Sequence, residues 1–174
     1  MNSVTLIEIA LIFVIIAWNA FFVSAEYAFV AVRRTRIDEL VEEGSKSAKR
    51  VRRLLDDPAR FISAFQVAIT LSSLALGAVG EPAVSRVFEE LFGNIGMLGD
   101  GAVVVISVIL AFAIISALHV VLGEIVPKTL TLSRAESVAL AVVLPVTIFM
   151  WLFWPFIWVL RGISEALIRL MGLE

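Results

Sequence analysis

The chain has 174 residues and a net charge of −2, and 60% of its residues are hydrophobic. A soluble domain of this length does not need so much apolar surface, so the composition predicts an integral membrane protein with one membrane domain. The chain contains no cysteine and one histidine. This excludes disulfides and cysteine nucleophiles, and it argues against zinc or haem sites built on histidine.

The positive charges are unevenly distributed. Nine of the 14 Lys and Arg residues lie between Arg33 and Arg60. Such clustering indicates membrane topology rather than nucleic-acid binding, and it predicts that this loop is cytoplasmic. The N-terminus lacks the basic region and the cleavage site of a signal peptide, so we expect a retained helix that starts outside.

The first predicted span covers about residues 4–32, with an uncharged stretch from Ile9 to Ala25. About 20 helical residues cross the hydrocarbon core, so this segment is long enough. It contains two polar residues, Asn19 and Ser24. Each is interpreted either as an interhelical hydrogen-bonding group or as part of a functional site.

Residues 35–58 are polar and predict two short amphipathic helices separated by Gly44-Ser45. Apolar residues recur at the helical spacing i, i+3, i+4 on both sides of that pair: Ile37, Leu40, Val41 and Val51, Leu54, Leu55. This pattern favours helices that lie at the membrane surface over a solvated loop, and their basic residues could bind anionic lipid headgroups.

The second predicted span covers about residues 60–80 and carries a stripe of polar and small residues on one face. The stripe consists of Gln66, Thr70, Ser73 and Gly77. It could be a close-packed helix interface or the wall of an ion path. We expect the span to end at Gly80-Glu81-Pro82, with a short helix over Ala83–Phe92 and a glycine-rich loop over residues 93–101.

The third predicted span covers residues 101–122 and ends in a motif that contains Gly123, Glu124 and Pro127. An ionisable group beside a membrane helix costs about 2.5–3.5 kcal/mol on insertion scales, so Glu124 marks a functional site. Glycine permits unusual backbone angles and proline lacks an N–H. We therefore expect a helix break that frees carbonyl oxygens beside the carboxylate, and hard cations bind such oxygens.

The last stretch, about residues 135–172, has two interpretations. Its uncharged part is long enough to span, but Pro145 and Pro155 interrupt it. Trp151, Trp154 and Trp158 are expected to share one face, as in an interfacial aromatic belt. Periodicity does not separate a fourth span, which would place the C-terminus outside, from a kinked interfacial helix, which would place it inside.

The chain resembles the CNNM/CorC family of magnesium transporters in four segments that occur in the family's order: Phe21–Ala28, Gln66–Gly77, Gly80–Pro82 and Gly123–Lys128. The resemblance covers essentially all of residues 1–174. It implies an all-α membrane domain with three spans, a kinked juxtamembrane belt helix and a cytoplasmic C-terminus in the cell inner (plasma) membrane. It also implies a homodimer, and cytoplasmic CBS domains in the full-length protein.

The resemblance further implies Mg²⁺ export with Na⁺ as a possible counter-ion. The cation site would then be formed by six residues: Ser24, Thr70, Ser72, Ser73, Gly123 and Glu124. Many family members carry Asn in place of Ser73, whose hydroxyl has a shorter reach. The alternative is a Mg²⁺ sensor or scaffold that regulates other transporters. We expect no enzymatic activity, because an intramembrane hydrolase needs a nucleophile–base pair and His119 has no evident partner.

Overall fold

The computed structural model describes residues 3–93 and 99–172, and all regular structure in these ranges is helical. The elements are α1 Ser3–Ala31, α2 Arg34–Glu42, α3 Lys46–Leu55, α4 Pro58–Gly93, α5 Asp100–Leu118, a π-helix His119–Ile125, α6 Val126–Leu132, α7 Ala135–Leu152 and α8 Trp154–Leu170. The predicted all-α fold is confirmed. Most of the predicted glycine-rich loop, residues 94–98, lies outside the described residues.

Several helical stretches are long and apolar enough to cross a membrane. They are Leu6–Ala31, Pro58–Gly93, Gly101–Leu132 and Ala135–Leu152. The protein is therefore a multi-pass membrane protein. The fourth stretch is long enough to span the membrane, and it could equally lie along the interface. The arrangement of three spans and a belt helix therefore stays a prediction.

The chain forms two compact units. The first contains Met1–Val23 and Ile69–Thr129, and the second contains Ser24–Ala68 and Leu130–Glu174. In the first unit, α1, α4 and α5 contribute a buried core of Ile12, Ile16, Leu76, Ala83 and Ile115. An ion pair of 2.5 Å between Glu8 and Arg86 also joins α1 to α4.

The helix break expected at Gly80-Glu81-Pro82 is wrong, because α4 continues through Pro82 to Gly93. Proline removes one helical hydrogen bond, but membrane helices tolerate it where neighbouring helices hold the chain. Ala83 and Ser85, directly after the proline, are both buried. Packing of the following turn therefore outweighs the local preference for a break.

The second unit contains the two short helices predicted on either side of Gly44-Ser45, and their existence is confirmed. Their location at the membrane surface stays a prediction. Ile37 of α2 and Val51 of α3 are fully buried, and α3 packs on both α2 and α7. Ion pairs Arg34–Asp56 and Arg52–Asp38 further link the α2–α3 segment. The apolar stripes thus pack inside the unit.

A tight turn joins α2 to α3 at Gly44, which has a φ of 90°. Replacing Gly44 by alanine is expected to lower the free energy of unfolding by about 1–2 kcal/mol, because L-residues avoid left-handed backbone angles. Thermal unfolding in detergent measures this loss. Gly77→Ala is the control, since a Cβ at Gly77 meets no atom within 4 Å; an equal loss in both variants would contradict the explanation.

The predicted belt helix over residues 135–172 is divided into α7 and α8 by Phe153. The residue before a proline disfavours the α conformation, and proline suits the first turn of a new helix, so α8 begins around Pro155. Trp151 consequently lies on α7, while Trp154 and Trp158 lie on α8. The expectation that all three tryptophans share one helix face is therefore wrong.

Candidate functional site

The π-helix His119–Ile125 interrupts the helix that follows α5. The N–H of Val126 donates to the carbonyl of Val121, five residues earlier instead of four. The expected end of the helix at Gly123 is wrong. The hydrogen bonds of the backbone change from i→i−4 to i→i−5 in this segment, and the helix then continues as α6 to Leu132. Single π-turns inside α-helices frequently occur at functional sites.

The carbonyl of Gly123 receives a hydrogen bond from another helix. In an α-helix this oxygen would accept from residue 127, which is a proline without an N–H. The side-chain Nδ2 of Asn19 on α1 donates to it at 3.0 Å, and Asn19 is fully buried. The freed carbonyl expected from the sequence is therefore engaged, and the interhelical interpretation of Asn19 is confirmed.

Three side chains gather around Gly123. A Cβ at this position would lie 2.9 Å from Cδ2 of His119 and 3.0 Å from Nδ2 of Asn19, so only glycine fits without displacing them. Nε2 of His119 lies 3.8 Å from Oε1 of Glu124. Nε2 of His119 and Oδ1 of Asn19 are buried, and neither has a hydrogen-bond partner in the part of the chain that the structure describes.

The proximity of His119 to Glu124 was missed from the sequence. Residues five apart lie about 140° apart on an α-helix, whereas the wider turn of a π-helix, closed by i→i+5 hydrogen bonds, brings them closer to one face. The Gly-Glu-x-x-Pro pattern that begins four residues after the lone histidine is the signal that could have indicated it. Glu124 remains nearly half-exposed, with 46% of its side-chain surface accessible.

The three predicted hydroxyl residues of α4 do not share one face. Thr70 is exposed, and Oγ of Ser73 donates to the carbonyl of Ile69 at 2.9 Å. Ser72 points about 160° away from Thr70. It is buried and lines a pocket of about 310 Å³ with Val14, Ile15, Trp18, Leu71 and Ala75. Thr70 and Ser73 lie only about 60° apart around α4. A single ion could therefore contact these two residues more readily than Thr70 and Ser72.

The first unit holds five of the six predicted site residues, and Ser24 lies in the second unit. Ser24 is part of α1 and its side chain is partly buried. Within residues 3–93 and 99–172 no group of three or more His, Asp or Glu side chains comes together. A cation near Glu124 would therefore depend on one carboxylate, with hydroxyl, amide and carbonyl oxygens and water completing its shell.

Replacing Asn19 by leucine is expected to lower the free energy of unfolding by about 1–3 kcal/mol, because the Gly123 carbonyl would lose a buried donor. Thermal or denaturant unfolding in detergent checks this. The matched control is Ser107→Ala, since Ser107 is as deeply buried and its Oγ has no hydrogen-bond partner among the described residues. Equal losses in both variants would show that the Asn19 bond contributes nothing specific.

A family model described as the Cyclin M transmembrane N-terminal domain matches residues 9–174 of this chain. The chain belongs to the CNNM family. Curated CNNM relatives include the UPF0053 proteins YhdT and YhdP of Bacillus subtilis (strain 168), which are 43% and 39% identical to it over 96% and 97% of its length. A polyamine export protein of Haemophilus influenzae is 27% identical over 87% of the chain.

The CNNM domain described here is shorter than these relatives. The chain covers 36% of YhdT, 38% of YhdP and 34% of the polyamine export protein. It therefore spans little more than a third of the length of the curated relatives that it matches.

Proposed function

We propose that this chain is the membrane domain of a transporter that exports Mg²⁺, with Na⁺ as the counter-ion and Glu124 as the main charged ligand. The observation that supports this proposal is a carboxylate on a π-helix within a membrane-length apolar helix. Such a group is costly unless it has a function. Membership of the CNNM family supports the same proposal.

The proposed ligands suit a hydrated Mg²⁺ ion. Mg²⁺ takes six oxygens at about 2.0–2.1 Å and keeps several waters when bound. Glu124 supplies one charged oxygen, and Ser73 and Thr70 are candidate hydroxyl donors, with Ser24 as a further candidate from α1. The second lone pair of the Gly123 carbonyl adds a neutral oxygen. One carboxylate against two positive charges gives weak binding, and a transported ion has to leave.

The proposal includes alternating access, in which the ion site opens to each side of the membrane in turn. It also includes a homodimer in the plasma membrane, with an external N-terminus and a cytoplasmic C-terminus. CBS domains are proposed for the remaining length of the full protein. Ser72 is the weakest of the proposed ligands, because it lies in an apolar pocket beside Trp18.

A second candidate is export of an organic cation, and the likeness to a polyamine export protein favours it. A polyamine is a flexible chain of ammonium groups, and one carboxylate can pair with one such group. The exposed half of Glu124 leaves room for this contact. A Mg²⁺ sensor that binds without transport is the alternative from another functional class.

Proteoliposomes loaded with a Mg²⁺-sensitive dye separate these functions. The proposal expects Mg²⁺ flux that depends on an opposing Na⁺ gradient and exceeds that of empty liposomes. Flux of labelled spermidine without Mg²⁺ flux would replace the proposal by polyamine transport. Mg²⁺ binding in calorimetry without any flux would replace it by a sensor.

A further inference from the structure

One face of α8 forms a pocket with the start of α4 in the second unit. Six residues of α8 follow helical spacing along this face: Trp154, Ile157, Trp158, Arg161, Gly162 and Glu165. Together with Arg60 of α4 they line a pocket of about 330 Å³. None of these residues belongs to the proposed cation site.

Two tryptophans form the aromatic wall of this pocket. The rings of Trp154 and Trp158 stack with centroids 6.5 Å apart and an interplanar angle of 23°, and both side chains remain at least half-exposed. Ile157 is buried and forms the floor. Gly162 leaves the pocket open, because a Cβ there would meet no atom within 4 Å. Tryptophan combines an apolar ring with a polar N–H, and partly exposed tryptophans are typical of the membrane–water interface.

The two arginines of the lining have no hydrogen-bonded carboxylate partner within residues 3–93 and 99–172. Arg161 lies 3.8 Å from Asp57 and 3.6 Å from Glu165, and both separations are too long for hydrogen bonds. Within residues 3–93 and 99–172, the guanidinium of Arg60 has no ion pair. The lining thus carries two arginines against one carboxylate, and guanidinium groups bind phosphate through paired N–H donors.

The opposite face of α8, about 180° from the pocket, also carries exposed apolar side chains. They are Phe156, Val159, Leu160, Ile163 and Leu167. Within the pocket, Trp154, Ile157 and Trp158 lie beside the two arginines, so a ligand with a phosphate at one end and hydrocarbon at the other would match this lining. A soluble phosphate ester would match the arginines alone.

We propose that this pocket binds the phosphodiester headgroup of a membrane phospholipid. Arg60 and Arg161 hold the phosphate, and the faces of Trp154 and Trp158 cover the glycerol and the first acyl carbons. Glu165, which also lines the pocket, pairs with an amine of the headgroup where one is present. The bound lipid fixes the start of α4 to α8 at the membrane surface.

Native mass spectrometry of the 174-residue chain tests this proposal after purification in detergent with added phosphatidylglycerol and phosphatidylethanolamine. The wild type is expected to retain one phospholipid per chain. The double variant Arg60→Gln/Arg161→Gln is expected to retain about tenfold less, because the charge-assisted bonds to phosphate are lost. Arg169→Gln, an exposed arginine on the same helix outside the pocket, is expected to retain lipid like the wild type.

Gly162→Leu provides a second variant that does not remove any charge. Its side chain enters open space, so we expect α8 to fold and the lipid to be displaced. Retention at the wild-type level in both Gly162→Leu and the double variant would overturn the proposal, as would an equal loss in Arg169→Gln. If soluble glycerol phosphate displaced the lipid at equal concentration, the pocket would be a site for free phosphate esters and the lipid assignment would be wrong.

Discussion

Replacing Glu124 by glutamine is expected to lower the Mg²⁺ flux through proteoliposomes at least about tenfold, because the site would lose its one carboxylate. Glutamine keeps the shape and one carbonyl oxygen, so the variant removes charge and little else. Because Glu124 is 46% exposed, solvent screening keeps the expected loss near this lower bound of about tenfold, or about 1.4 kcal/mol.

The control for this prediction is Glu42→Gln. Glu42 is an exposed residue of α2, outside the π-helix. The Mg²⁺ flux of the Glu42→Gln variant is therefore expected to match that of the wild type. Circular dichroism and size-exclusion chromatography verify that both variants fold. A Glu124→Gln variant that is folded and transports Mg²⁺ at the wild-type rate would remove Glu124 from the site, whereas loss of flux in both variants would indicate a general charge effect.

Replacing Gly123 by alanine is expected to lower the free energy of unfolding by about 1–3 kcal/mol, since it overpacks a filled space. The new Cβ would lie 2.9 Å from the His119 ring and 3.0 Å from the Asn19 amide. These groups are held by the π-helix and by the hydrogen bond to the Gly123 carbonyl. Relief of the clash would move Asn19 away from that carbonyl, and we expect Mg²⁺ flux to fall with stability.

Thermal unfolding and the dye-loaded liposome assay measure the two parts of this prediction. Gly80→Ala is the matched control, because its Cβ would lie 3.2 Å from the terminal Cδ1 of Ile115, a flexible side chain that can shift. We expect a smaller stability loss in Gly80→Ala and an unchanged flux. Equal stability and flux in Gly123→Ala and the wild type would show that the space around Gly123 is not needed.

Composition and periodicity predicted most of the helices. Long uncharged runs predicted the apolar helices, and the i, i+3, i+4 pattern around Gly44 predicted α2 and α3. Proline was less informative, because its effect depends on packing. Pro82 lies inside α4, where the next turn is buried, whereas Pro155 lies two residues after the break at Phe153. The sequence contains the same residue in both places, and the difference comes from the neighbouring helices.

Glu124 and Gly123 were identified from the sequence because a charge and a glycine are conspicuous in an apolar helix. The structure confirms that the backbone is irregular there, and the cation itself stays a prediction. The environment of Gly123 was not foreseen, because it depends on a π-turn and on Asn19, which is 104 residues away in sequence. A pattern of neighbouring residues does not predict a contact between residues so far apart in the sequence.

The π-helix has a consequence for changes in chain length. A turn closed by i→i−5 bonds holds one residue more than an α-turn. Deleting one residue between 119 and 125 could convert that turn to α geometry and leave α5 and α6 facing as before. The same deletion in α4 would swing everything after it by about 100°. The extra residue is therefore not needed for the direction of α6, and it sets the local positions of Glu124, His119 and the Gly123 carbonyl.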